Sequence, residues 1–274
     1  MLDCGGRPLD LGRVAIMGIL NITPDSFSDG GVFLSPAKAV DHALRMVAAG
    51  ADIIDVGGES TRPSAPPVSA QEELDRVLPV MEALRGVLGV PVSIDTSKPE
   101  VMRAAVRAGA GLVNDVMALR APGAMQAAVE LGVPVCLMHM RGEPRSMQDA
   151  PYYIDVVGEV RDFLAARVQA CVAAGMAAQS IIVDPGFGFG KALAHNCVLL
   201  RNLAVLRALG APLLVGLSRK SLIGKALGLP LEQRLYASLA LASMAVQNGA
   251  SIIRTHDVEA TRDVIRMVEV VQNS

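Results

Sequence analysis

With 274 residues, 51% of them hydrophobic, a mean hydropathy of +0.41 and a formal net charge of -2, the chain can bury a large core. It lacks the basic excess of a nucleic-acid-binding surface, and its apolar runs stop well short of the ~18 residues a membrane span needs. The opening "MLDCGG" has neither the basic nor the apolar stretch of a secretory signal. Cys4, Cys136, Cys171 and Cys197 are scattered without a CxxC pair. That spacing disfavours a zinc site or a disulfide framework and favours reduced, mostly buried thiols in a cytoplasmic protein.

In chain order, "LDCGGRPLDLG" reads as a short hairpin turning at Gly5-Gly6. Short apolar runs follow at intervals: "VAIMGIL" (14–20), "ADIIDVG" (51–57), "PVSID" (91–95), "GLVND" (111–115), "PVCLMH" (134–139), "SIIVD" (180–184), "PLLVGL" (212–217) and "SIIRT" (251–255). Between them lie stretches with helical spacing, among them 36–49, 70–88, 154–174 and 231–248. Apolar strands alternating with helices predict a parallel sheet covered on both faces. Eight such units in this length predict a (β/α)8 TIM barrel, an α/β fold, as one domain over 1–274, preceded by the N-terminal β-hairpin. A doubly wound open sheet is the runner-up.

The residues that end the strands carry more information: Asn21, Asp55, Asp95, Asn114-Asp115, His139, Asp184, Ser218-Arg219-Lys220, and Arg254 with His256. In a barrel these ends share the face on which active sites are built. A lone Asp or Asn after a strand is ordinarily a turn former or helix cap, and Asp55 and Asp115 taken singly read that way. Caps do not call for Arg, Lys and His. Arg254 and His256, two apart on one strand, point to the same side and await an anion. "DPGFGFGK" (184–191) fails the P-loop pattern, because Ala192 follows Lys191, and fails the Rossmann pattern, because Lys191 replaces the third Gly. "GLSRK" (216–220) fails the hydrolase elbow at Lys220. His42 and His195 fall within helical stretches and read as surface or packing residues.

Eight ordered segments resemble the dihydropteroate synthase family along essentially the full chain: "GILNITPDSFSDGG" (18–31), "DVGGESTRP" (55–63), "SIDTSKP" (93–99), "NDV" (114–116), "MHMRGEP" (138–144), "DPGFGFGK" (184–191), "GLSRKS" (216–221) and "RTHD" (254–257). The resemblance implies a barrel that joins 6-hydroxymethyl-7,8-dihydropterin diphosphate to 4-aminobenzoate, with Mg2+, and that sulfonamides compete with the second substrate. It puts Asp95, Asn114, Asp184 and Lys220 on the pterin, with Val116 and Met138 as apolar walls and Phe189 beside both substrates. It puts Asn21, Arg62, Arg254 and His256 on the diphosphate, Asn21 also serving the metal. Thr61, Arg62, Pro63, Ser218 and Lys220 resemble the 4-aminobenzoate contacts, and Asp95, Lys220, Arg254 and His256 the catalytic set.

The residue chemistry agrees. Carboxylates suit a ring edged with N–H donors, an amide both donates and accepts, and an Arg fork suits phosphate oxygens. "TPDSFSDGG" (23–31) and "STRPSAPPVSA" (60–70) read as active-site lids, because Phe27, Asp29 and Arg62 are costly on idle surface. Two rivals are a pterin-dependent methyltransferase, which would not need the Arg254/His256 site, and a silent pterin-binding homologue, which should have lost Asn21, Lys220 or Arg254. The partners expected are small molecules, neither nucleic acid nor membrane, and the resemblance implies a homodimer through the late helices.

Overall fold

Two glycines set the first turn of the chain. Gly5 and Gly6 adopt φ of 65° and 85° and join β1 (Leu2–Asp3) to β2 (Pro8–Leu9) as an antiparallel hairpin. The computed structural model describes residues 1–23, 35–60, 66–142, 147 and 151–274. After the hairpin, strands and helices alternate: β3 (Ala15–Asn21), α1 (Pro36–Ala48), β4 (Ile53–Gly57), α2 (Ala70–Leu84), β5 (Val92–Asp95), α3 (Pro99–Arg107), β6 (Leu112–Asp115), α4 (Ala124–Leu131), β7 (Val135–Met138), α5 (Val156–Ala173), β8 (Ile181–Asp184), α6 (Leu193–Arg201), β9 (Leu214–Gly216), α7 (Ser221–Leu227), α8 (Leu235–Gln247), β10 (Ile252–Thr255) and α9 (Val258–Gln272).

The helices begin where the sequence supplies caps. Ser35 accepts a hydrogen bond from the Lys38 N–H ahead of Pro36, and Ser69 and Glu72 form a reciprocal capping box. α2 ends at Leu84, four residues earlier than its spacing predicts, because Arg85 turns extended and Gly86 takes φ 77°.

The eight long strands are all parallel, in the order β8-β7-β6-β5-β4-β3-β10-β9. A parallel bridge from Val183 to Leu213, with the Val183 N–H on the Pro212 carbonyl at 3.0 Å, brings β8 against the segment entering β9 and nearly closes the ring. This is the predicted barrel, and it excludes the doubly wound sheet.

Strand pleating then sorts the side chains. One set faces the helices and forms the main core. The other faces inward. At the amino end it is apolar: Ala15, Met17, Ile53, Leu112, Cys136, Ile182, Leu214 and Ile252 cluster with Leu2, Cys4 and Leu9 of the hairpin. The hairpin therefore plugs the amino end of the barrel. Cys4, Cys136 and Cys171 are buried, Cys197 is exposed, and all four are free thiols.

Gly111 shows how tightly the plug fits. A Cβ there would lie 2.1 Å from the Cys4 carbonyl oxygen. Gly111→Ala must push the hairpin outward and is expected to lose about 1–3 kcal/mol of stability, the usual cost of overpacking. Urea denaturation checks this; a variant as stable as its parent would mean the plug is loose.

Candidate active site

The inward set turns polar towards the carboxyl ends of the strands. Asp55 on β4 is fully buried, two residues deeper than Gly57, which is in register with Asp95 of β5. Arg254 on β10 reaches across the barrel to both carboxylates. Its Nε donates to Asp55 Oδ2 at 2.6 Å and its Nη2 to Asp95 Oδ2 at 2.9 Å. Asn114 on β6 donates its amide to the same Asp55 oxygen at 3.1 Å. Three strands are thus joined through one guanidinium, and Asn114 adds a fourth through Asp55. Asp95 Oδ1 and Asp55 Oδ1 are buried without a donor among the described residues.

Burial sets the charges of this cluster. Removal from water pushes the Asp95 carboxyl up to about 7; Arg254 opposes the rise and neighbouring Asp55 adds to it. Burial lowers the Lys220 ammonium to about 8, against the pull of Asp184. Asp184 is raised by burial too, opposed by Lys220, by the Gly186 N–H at 2.7 Å, and by Lys191 and Arg254. Arg254 is driven the other way, its ordinary value raised because Asp55 and Asp95 outweigh its burial. Burial and the crowding of carboxylates thus keep a proton on Asp95 up to near neutrality.

Lys220 bonds the Phe187 carbonyl, and its ammonium lies 4.7 Å from the centre of the Phe189 ring. Val116 and Met138 pack with Met140 and Met147, and Phe189 lies against them, forming a small apolar wall. Two glycines of "DPGFGFGK" serve close packing against backbone. A Cβ on Gly186 would meet the His139 carbonyl at 1.9 Å, and one on Gly190 the Arg141 carbonyl at 2.2 Å.

At the rim, Ser218 Oγ accepts from the His256 N–H at 3.2 Å and stands 3.0 Å from His256 Nδ1. Donation of the hydroxyl proton to Nδ1 puts the imidazole proton on Nε2. Arg219, between Ser218 and Lys220, holds a left-handed backbone at φ 56°. A non-glycine residue there costs about 1–2 kcal/mol. The surroundings enforce it: its N–H donates to Ser238 Oγ, its carbonyl accepts from Arg234 Nη1, and its guanidinium pairs with Asp257. The kink presents both neighbours to one cleft of about 500 Å³, lined by Asn21, Asp95, Phe189, Ser218, Lys220, Arg254 and His256, among others.

The structure brings those seven predicted residues together. Asn114, Val116, Met138 and Asp184 lie buried beside this set rather than in the cleft wall. Thr61, Arg62 and Pro63, with Phe27 and Asp29, lie outside the described residues. Asp55 was expected to act as a turn former, and that expectation is corrected. Asp115 does cap its turn, accepting from the N–H groups of Met117 and Leu119, whereas Asp55 carries half of the Arg254 pair. The sequence assigned no role to Arg219, Glu59 or Ser221, which also line the cleft. The signal for Asp55 was present, since Val56 and Gly57 continue the strand and leave no turn to form.

A family model for pterin binding enzymes matches residues 17–256. The dihydropteroate synthase of Escherichia coli K12 is 53% identical over 264 residues, covering 96% of this chain and 94% of that protein. A dihydropteroate synthase from Xanthomonas albilineans with 4-aminobenzoic acid superposes with a TM-score of 0.94 at 52% identity, covering 100% of this chain and 98% of that one. The same enzyme in complex with 7,8-dihydropteroate gives 0.91 at 50% identity, covering 100% and 99%. The chain belongs to the dihydropteroate synthase family.

Asp95 titrates higher in the folded protein than in the unfolded chain. Between its ordinary value near 4 and about 7 the folded state holds the extra proton, so its contribution to stability falls as pH rises through that window. Relative to Asp95→Asn, the parent should lose stability from pH 4 to pH 7. Denaturation of both proteins across the window measures it, and a constant difference would contradict the assignment.

Proposed function

We propose that this cleft condenses (7,8-dihydropterin-6-yl)methyl diphosphate with 4-aminobenzoate to 7,8-dihydropteroate and pyrophosphate, a transferase step of folate biosynthesis. The observation that carries the reading is the Arg254–Asp55–Asp95 cluster beside Lys220 and Asp184, under a cleft rimmed by His256. The chain that holds it is about half identical to synthases solved with 4-aminobenzoic acid and with 7,8-dihydropteroate.

The pterin ring occupies the deep polar end. Asp184 and the unpaired Asp95 Oδ1 accept its N–H groups, Asn114 serves both donor and acceptor, and Lys220 donates to the ring carbonyl. Met138 and Val116 supply apolar faces. A ring read by buried polar groups is selected strongly, because an analogue lacking the partner leaves them unpaired. The diphosphate lies towards Arg254, whose Nη1 makes no hydrogen bond among the described residues, and towards His256. 4-Aminobenzoate takes the rim near Phe189, Ser218 and Lys220, with Thr61, Arg62 and Pro63.

Among the described residues, no group of three His, Cys, Asp or Glu side chains could cage a metal ion. Asn21 Oδ1 and Asp95 Oδ2 lie 3.7 and 3.8 Å from where a Cβ on Gly57 would sit, so a neutral oxygen and a carboxylate both approach that strand end. That donor set fits Mg2+ held mainly by phosphate oxygens. Mg2+ would neutralise charge on the leaving diphosphate. Arg254 and His256 add positive charge and a hydrogen bond to that group as the carbon–oxygen bond breaks and its electron pair leaves with pyrophosphate. Ionised Asp95 favours the positive charge developing on the pterin methylene. The amine nitrogen of 4-aminobenzoate forms the new carbon–nitrogen bond and sheds a proton, so no covalent protein intermediate is needed.

No helix among the described residues is long and apolar enough to cross a membrane, and the reading places the enzyme in the cytoplasm. The exposed Tyr236 and Met244 of α8 and Met267, Val270 and Val271 of α9 support a homodimer through these helices.

Pyrophosphate release is expected only when both substrates are present; release with either alone would overturn the reaction assigned. Arg254→Ala should lower turnover about a hundredfold or more, the cost of one lost electrostatic contact at a transition state. It should also weaken the fold, by leaving Asp55 without its cation. Steady-state kinetics near those of the parent would remove Arg254 from the chemistry. Asp184→Asn should weaken pterin binding about tenfold, the scale of one charged hydrogen bond, with an unchanged melting temperature. Calorimetry with a pterin ligand decides it, and unchanged affinity would refute the role.

A further inference from the structure

Lys191 is a lysine only 2% exposed, inside the glycine-rich loop and away from the cleft. Its Nζ lies 2.9 Å from the Gly186 carbonyl, 3.1 Å from the Phe189 carbonyl and 2.9 Å from His139 Nδ1, with the His139 carbonyl at 3.4 Å. The three carbonyl oxygens can only accept and match the three protons of an ammonium; a neutral amine, with two, would leave one of them unpaired. Burial and the adjacent Lys191 hold the His139 imidazole neutral, down at about 2, and with Nδ1 facing the ammonium its proton sits on Nε2. Burial lowers Lys191 well below its ordinary value and Lys220 adds to this, while the Asp184 carboxylate opposes it and favours the ammonium that the three carbonyls receive.

The loop that wraps Lys191 bears Asp184 at one end and Phe189 near the other. Its remaining ties are the His139 N–H on the Asp184 carbonyl (2.9 Å), the Tyr153 hydroxyl on the Gly190 carbonyl (2.9 Å) and the Gly188 N–H on Asn196 Oδ1 (2.8 Å). None of these supplies charge.

We infer that Lys191 is a positioning residue for the pterin site: its buried ammonium folds the 184–190 loop around itself, fixes Phe189, and supplies from behind a positive charge that keeps Asp184 ionised to accept the ring's N–H groups. The inference rests on the pterin-binding reading above. The sign of the effect follows from simple electrostatics. A cation near Asp184 favours its carboxylate, so removing the cation makes Asp184 take up a proton at higher pH. The other charges around Asp184 and Lys191 are Lys220 and Arg254, Asp55 and Asp95 across the barrel, and Arg120 and Arg141 beyond His139; the variants below leave all of them in place.

The test is calorimetric titration with 6-hydroxymethyl-7,8-dihydropterin diphosphate across pH, on the whole protein. Lys191→Met should bind about tenfold more weakly, as expected for a lost charged interaction, and its affinity should fall away at a higher pH than the parent's as the solution is acidified. His139→Asn keeps an acceptor near the Nδ1 position and should bind like the parent, whereas His139→Leu should follow Lys191→Met. Unchanged affinity in Lys191→Met, or weaker binding with the parent's pH profile, would make Lys191 a mere structural filler and overturn the inference. If Lys191→Met does not fold, the His139 pair decides: equal behaviour of Asn and Leu overturns it. A parent protein that binds no pterin would instead defeat the functional reading, and that is seen before any variant is made.

Discussion

A guanidinium placed between two buried carboxylates is the constraint on which the upper barrel depends. Arg254 joins β10 to β4 and β5, and Asn114 extends the link to β6. Buried ion pairs contribute little net stability, because desolvation offsets attraction. What this one provides is position: removing either partner strands a charge, so the geometry of four strand ends is held together. The cluster is also incompletely satisfied, with Asp95 Oδ1 and Asp55 Oδ1 unpaired among the described residues. A folded protein tolerates such atoms where a ligand will meet them.

The barrel was legible in the sequence because its strands are apolar, short and evenly separated by amphipathic helices. The site was legible because Arg, Lys and His stand at strand ends where caps need only short polar residues. Asp55 was misread for a physical reason. It shares its residue type with Asp115, and only the backbone that follows separates them: Asp115 is followed by a turn with free N–H groups, Asp55 by two more strand residues. Lys191 could not be read at all, because three of its four partners are main-chain carbonyls, which carry no residue identity. The left-handed Arg219 is of the same kind. It is imposed by Arg234, Ser238 and Asp257, all distant in the chain.

Rigid and adaptable parts divide the same site. The floor is built from strand residues and from a loop locked by close backbone contacts at Gly186 and Gly190. The methionines beside it, Met138, Met140 and Met147, are unbranched and polarisable, and can conform to a flat ring without a fixed cavity shape. Precision is thus placed where hydrogen bonds are read and tolerance where only apolar contact is needed.

The hairpin at the amino end carries one more consequence. Leu2, Cys4 and Leu9 close the barrel from below, so among the described residues the interior opens at one mouth, at the carboxyl ends of the strands. Traffic through one mouth is last in, first out. A molecule seated on Asp184 and Asn114 has to arrive before anything at His256 blocks the way, and a product spanning both levels has to depart rim end first. The plug therefore does more than fill space, because by abolishing a back door it turns the depth of each binding group into an order of events.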